Sequence, residues 1–347
     1  MAKPTRRKTE DVIEPVTAQH VAELAGVSPS TVSRVLNDIH NDFISEKTRS
    51  RVREAAAQLG YTPNPLARAL RGRQSYLLGV IVRDIADPFF ARMISELSTG
   101  ARALGYRLVL GHAQNDGDTV LTLGDLLDIR QTDGVIVLGN LRDDDSSLEE
   151  LFRRSHKVVT LCRAPASRYS VGIDNRAGVR AIMDHLWALG HRRIAFIDAG
   201  WQGDINERRE AYLAYLHERS RSAWIEREVN TPAGGSRAMQ ALIAAPERPT
   251  AVFASDDIVA TGALKAALES GLRVPQDISI VGFDDIELAQ YLSPALTTMR
   301  QPIEVLSREA LRLLTTIITD SEIREEVLVR ITPELVVRQS SGPAPDA

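Results

Sequence analysis

The sequence predicts two architectures in one chain. A small all-α head built on a helix-turn-helix comes first, and an α/β body of parallel sheets with helices on both faces follows. Three observations predict this. Up to Tyr61 the apolar residues recur at helical spacing. From Tyr76 onward, short apolar runs alternate with helical stretches. Charge divides at the same place: residues 1–73 hold 12 Lys+Arg against 8 Asp+Glu, a balance of +4, and the remainder carries −8 of the net −4. A basic head on an acidic body suits a chain whose head meets phosphate.

The elements follow in order. Residues 1–15 read as a basic, polar tail, and residues 16–61 as the head. Thr17 is placed to cap a first helix carrying Val21, Leu24 and Ala25, and Gly26 to end it. Ser28 and Pro29 open a second helix. Val32, Val35 and Leu36 give this helix an apolar stripe that can pack on Val21, Leu24 and Ala25. Ser30, Arg34 and Asn37 are left as a polar stripe on the outer face, the arrangement a helix entering the DNA major groove requires. Ser45 caps a third helix with Glu46 in its first turn, and Val52, Ala55, Ala56 and Leu59 close a three-helix core. Gly60 and the prolines after it stop that helix. Leu66–Arg71, within a linker spanning 62–75, is a helix too short to stand alone and needs a second copy, DNA or both.

The body is expected over 76–340, with a short tail at 341–347. Leu77–Val82, Arg107–Leu110, Gly134–Leu138 and Val158–Leu161 read as buried parallel strands, with helices such as Phe89–Leu104 between them. After Gly172 the alternation resumes at Ile194–Asp198, Ala251–Ala254 and Ile278–Gly282. Ligands of open α/β sheets bind at the carboxyl ends of strands. That rule selects Asp84, Asp87 and Phe89-Phe90, Cys162-Arg163, Asp198 to Gln202, Ser255-Asp256-Asp257 and Phe283-Asp284.

Other classes lack their signatures. There is no G-x-G-x-x-G after a strand, no P-loop, no His/Cys metal spacing and no clustered nucleophile–base pair, so neither catalysis nor a metal or cofactor is expected. One cysteine, no long apolar run and no secretory leader point to a cytoplasmic protein without a membrane partner.

The motifs together carry a resemblance. V-x-x-L-A-G-V-S-x-x-T-V-S-R-V-L-N, then T-R-x-R-V-x-x-A-A-x-L-G-Y-x-P-N-x-x-A-R-x-L, closely resembles the LacI/GalR family of bacterial transcription regulators. Asp87-Pro88-Phe89-Phe90, Thr132–Ile136, Val171–Asn175 with Gly178, Leu189–Ile194, Val281–Asp285 and Pro294–Thr298 continue the likeness in family order. The resemblance implies a periplasmic-binding-protein-like sensor of two α/β subdomains. It also implies a homodimer (or a tetramer) on a near-palindromic double-stranded operator at the bacterial nucleoid, most simply as a repressor, with an activator of the same fold as the alternative.

For the DNA contacts it implies that Pro29, Ser30 and Arg34 meet bases, that Thr17, Thr31, Ser33 and Asn37 hold phosphates and register, and that Leu70 wedges into the central base step from the minor groove, flanked by Ala67 and Arg68. Effector positions fall on Asp87, Phe89, Phe90, Arg163, Arg208, Asp256, Asp257 and Asp284. A sugar or sugar derivative is the leading effector class, with nucleosides and purines as the alternative. Five of these residues also have a structural reading: a surface salt bridge for Arg208, a helix cap for Asp257, a turn for Asp284 and core for the two phenylalanines. Three departures from the family stand out. His20 replaces an acidic residue, the loop 38–44 is two residues longer, and Asp87 replaces asparagine.

Overall fold

A computed structural model describes residues 16–36, 44–61, 74–82, 84–112, 132–139, 151–152, 155, 157–161, 167–200, 203–320 and 325–345. The chain forms two compact units, residues 1–75 and 76–347.

The first unit holds α1 (Ala18–Ala25), α2 (Pro29–Leu36) and α3 (Glu46–Gln58). Gly26 ends α1 at φ +61, a left-handed conformation that costs glycine little. The Ser28 Oγ accepts the Thr31 N–H at 3.2 Å, and Pro29 opens α2. Ser45 caps α3 through the Thr48 N–H at 3.3 Å. The core is Val21, Ala22, Ala25, Val32, Val35, Val52, Ala55 and Ala56. Leu24 departs from expectation. It is 51% exposed, and Ala22 joins Val21 and Ala25 on the buried side of α1 instead. His20 does not weaken the start of α1: its Nδ1 accepts the Thr17 N–H at 3.3 Å, doing the work of an acidic side chain.

The second unit holds two subdomains. In the first, β1 (Leu77–Val82), β2 (Arg107–His112), β3 (Gly134–Leu138), β4 (Val158–Leu161), β5 (Tyr169–Ile173) and β11 (Val327–Ile331) form one sheet in the order β11-β5-β4-β3-β1-β2. Every pairing in it is parallel. Helices α4 (Pro88–Ala103) and α9 (Ile303–Thr319) belong to this subdomain. β2 is an edge strand with Val109 and Leu110 exposed, unlike the buried strand expected.

In the second subdomain, β6 (Ile194–Asp198), β7 (Trp224–Arg227), β8 (Ala251–Ala254) and β9 (Ser279–Val281) form a parallel sheet in the order β7-β6-β8-β9. α5 (Asn175–Ala188), α6 (Gly203–His217), α7 (Pro232–Ala244) and α8 (Asp257–Glu269) accompany it, with a 3-10 turn at Glu287–Gln290. A small antiparallel pair, β10 (Thr298–Arg300) and β12 (Glu334–Val336), lies beside the crossings.

The chain passes between subdomains three times: from β5 to α5, from β10 to α9 and from β11 to β12. Two crossings are bonded together, Asp174 N–H to Ile331 O at 2.9 Å. Gly178 lies under them, where an added Cβ would stand 2.9 Å from Pro333 Cγ and 3.2 Å from the Phe283 ring. This is why the D-N-x-x-G segment ends in glycine. The expected tail at 341–347 is docked over its first residues: Gly342 O meets His191 Nε2 at 3.0 Å and Ala344 N–H donates to Leu189 O at 2.8 Å. Among the described residues no helix is long and apolar enough to cross a membrane, and no cluster of side chains suits a metal ion.

Candidate functional site

In the head, burial of Val32 and Val35 turns the opposite face of α2 outward. Pro29, Ser30 and Arg34 are exposed on it, and Thr31 and Ser33 are half-buried. The Ser28 Oγ lies 2.7 Å from the Ser30 Oγ and 2.9 Å from the Thr31 Oγ1, which steadies the first turn. Thr17 is exposed beside it in sequence order, at the start of α1. Not every basic residue of the head faces a partner. Arg51 Nη2 donates to Ala25 O at 2.6 Å and clamps the end of α1. Arg49 and Arg53 lie 4.0 and 3.8 Å from Glu46.

In the body, the carboxyl ends of the strands gather one buried cluster around Arg208, which α6 presents. Its Nε donates to Asn175 Oδ1 at 3.0 Å and its Nη1 to Ser255 O at 2.7 Å. Nη2 lies 3.5 Å from Asp284 Oδ1, and the guanidinium stacks 3.6 Å over the Phe283 ring. Arg208 is therefore no surface salt bridge. Asp284 sits at φ +119, outside the range an aspartate adopts easily, and its Oδ1 also accepts Gln301 Nε2. Burial holds the Asp284 carboxyl well above the usual carboxylate range. Arg208 opposes this, and Asp256, Asp257 and Asp87 add to it.

Asp256 and Asp257 divide two jobs. Asp256 is the cap of α8, its Oδ1 accepting the Val259 N–H at 2.8 Å. Its Oδ2 is buried and accepts no hydrogen bond among the described residues. Burial raises its pKa. Asp257, read as the cap from sequence, lies one residue inside the helix. Its Oδ2 accepts the Ile286 N–H at 2.9 Å, and its Oδ1 accepts the Thr298 hydroxyl.

Across the first subdomain, Asp87 caps α4 through the Phe89 N–H at 2.9 Å. Phe89 and Phe90 are both buried in the core, ring centroids 5.4 Å apart. Gly139, at φ +99, lies where a Cβ would come within 3.2 Å of the Phe90 ring.

Comparison with known proteins gives the frame for both regions. The model of bacterial regulatory proteins of the lacI family matches residues 17–64, and that of the periplasmic binding protein-like domain matches residues 183–341. The transcriptional repressor CytR of Escherichia coli K12 is 37% identical over 303 residues, covering 86% of this chain and 88% of that protein. The chain belongs to the LacI family. Among solved structures of the family, the lac repressor dimer bound to operator and the anti-inducer ONPF is similar at a TM-score of 0.84 and 29% identity, covering 95% of this chain and 100% of that one. The regulator CelR in complex with cellobiose has a TM-score of 0.71 and 32% identity, covering 94% and 100%.

Of the family positions expected to read DNA, Thr17 is the N-cap of α1, and Pro29, Ser30, Thr31, Ser33 and Arg34 fall on α2. Asn37, Ala67, Arg68 and Leu70 lie outside the described residues, as does Arg163 of the effector set. Arg208, Asp256 and Asp284 lie in one electrostatic cluster, with Asp87 acting on it from the first subdomain. Asp257 has both oxygens committed to the turn at Ile286 and to Thr298. Asn175 and Gln301 were not singled out as site residues, and Ser255 and Phe283 were selected only as strand-end candidates. Each stands inside or beside a quoted motif, but only the folded contacts show that they hold Arg208 and Asp284.

Proposed function

We propose that the protein is an operator-binding transcriptional repressor that works as a homodimer and is gated by a small hydroxyl-rich effector, with sugars the leading class. The outward face of α2 carries the DNA side of this reading: Arg34 is exposed there while Val32 and Val35 are buried. An arginine so placed matches the O6/N7 edge of guanine in a fork, worth roughly 1–3 kcal/mol of discrimination. Likeness to a repressor solved as a dimer on its operator supports the same reading.

The dimer is supported by Leu288 and Tyr291, 47% and 72% exposed. Leu288 lies in the 3-10 turn and Tyr291 caps it, so two large apolar side chains stand exposed three residues apart. For the effector, buried carboxylates with raised pKa beside one arginine suit a ligand that donates from several hydroxyls and accepts from the guanidinium. A family member has been solved with a sugar, cellobiose.

Footprinting on DNA flanking the gene tests the first part, with two-fold symmetric protection the expected result. Arg34→Ala should relax guanine preference at one position of each half-site. A uniform loss of affinity on all sequences would make Arg34 a phosphate contact instead. A thermal-shift panel of cellobiose, ribose, cytidine and adenosine tests the effector class. Stabilisation by a nucleoside and not by either sugar would overturn the sugar reading.

A further inference from the structure

A continuous polar chain leaves Arg208 and ends in the other subdomain. Asn175 Oδ1 accepts from Arg208 Nε at 3.0 Å. The amide nitrogen of Asn175 donates to Asp204 Oδ1 at 2.8 Å and to Glu207 Oε2 at 2.9 Å. Arg330 then donates to Glu207, Nη2 to Oε1 at 3.2 Å and Nη1 to Oε2 at 3.4 Å. The same Nη1 donates to Ile173 O at 3.0 Å. Asn175, Asp204 and Glu207 belong to α5 and α6 of the second subdomain, whereas Arg330 and Ile173 belong to β11 and β5 of the first.

The sense of each link is fixed by charge. Two carboxylates face one end of the Asn175 amide, so that end must be the NH2 group, and the oxygen must face the guanidinium. A reversed amide would set an oxygen against two carboxylates and an N–H against Arg208. Glu207 is buried, and Arg330 supplies the positive charge that keeps its carboxylate in place.

We propose that Glu207, on the same helix, and Arg330, from across the subdomain boundary, are positioning residues for Arg208, holding its guanidinium in place through Asn175. The importance of this for control rests on Arg208 serving the effector, as proposed above. The positional claim does not.

Hydrogen exchange at the Arg208 Nε–H tests it, in ¹⁵N-labelled full-length protein, with the resonance assigned by its loss in Arg208→Lys. Glu207→Gln and Arg330→Met should each speed that exchange at least tenfold while the amides of Phe196 and Phe253 stay protected. Arg330→Lys, which keeps a charge beside Glu207, should give a smaller rise and serves if the other variants do not fold. Unchanged Nε–H exchange in a folded variant overturns the proposal. So does an equal loss of protection at Phe196 and Phe253, which would mark general destabilisation. The ligand panel on Arg208→Lys separately tests whether Arg208 serves the effector, so the two failures can be told apart.

Discussion

Asp257 shows how far one position can be moved from its ordinary chemistry. Burial, with Asp256 and Asp285 nearby, pushes its carboxyl up to about 8, against the pull of Thr298 and the Ile286 N–H. In the unfolded chain the same group titrates near ~4. Between these values the unfolded chain is ionised and the folded protein holds the proton. The stability linked to this group is full below pH ~4 and is lost as pH rises through about 8. Asparagine mimics the neutral acid, offering an N–H to Thr298 and an oxygen to Ile286. Asp257→Asn should therefore flatten the fall in melting temperature of the wild type between pH 5 and 8, and an unchanged slope would assign the ionisation to another group. The pair Asp256-Asp257 was legible in the sequence as a strand end and a helix start. Which of the two caps was not, because that depends on where α8 takes its first helical turn, a matter of backbone angles at a single residue.

The elements were more legible than the contacts between them. The first three helices were readable from caps and apolar spacing, and β1, β3, β4, β6 and β8 from short apolar runs. β5, β7, β10, β11 and β12 were not singled out as strands. β7, β10 and β11 are short runs that each include an arginine, and each is held by pairing with a strand elsewhere in the sequence. The basic residues of the head illustrate the same limit. Arg34 and Arg51 both add to the basic charge of the head, but Arg51 is spent on the carbonyls of Ala25 and Gly26. Arg51→Met should lower the stability of the head by about 1 kcal/mol while leaving the salt dependence of operator binding unchanged. A phosphate contact would behave differently, with the slope of log K against log salt falling by about one when the residue is removed. Calorimetry and a salt titration on the same variant decide between them.

At the scale of the whole molecule, the division at residue 75/76 and the two α/β subdomains follow the pattern of composition, but the route of the chain between them does not. The first sheet is finished by β11, which pairs with β5 across more than 150 residues of sequence. No local signal announces such a pairing, because its stabilisation comes from an edge built earlier in the chain. A chain stopped at residue 320 would lack β11 and leave the β5 edge and its hydrogen bonds open. It should self-associate, as read by light scattering, whereas the full chain should not do so through this edge. A truncated chain that stays as disperse as the full one would show that the edge is covered in some other way.

The late position of β11 also sets an order of events on the ribosome. The head has its whole three-helix core once residue 61 has emerged, but the first sheet of the sensor waits for residue 331. At a synthesis rate of ~5–20 residues per second the gap is on the order of 15–50 s. For that interval each nascent chain carries a finished helix-turn-helix unit and an unfinished body, and on the proposed dimeric reading it has no completed partner to supply the second half-site. One head alone forms only part of the contacts of a dimer and holds DNA weakly. Dimerisation through the body would then keep half-made chains off the operator until the part that controls them exists.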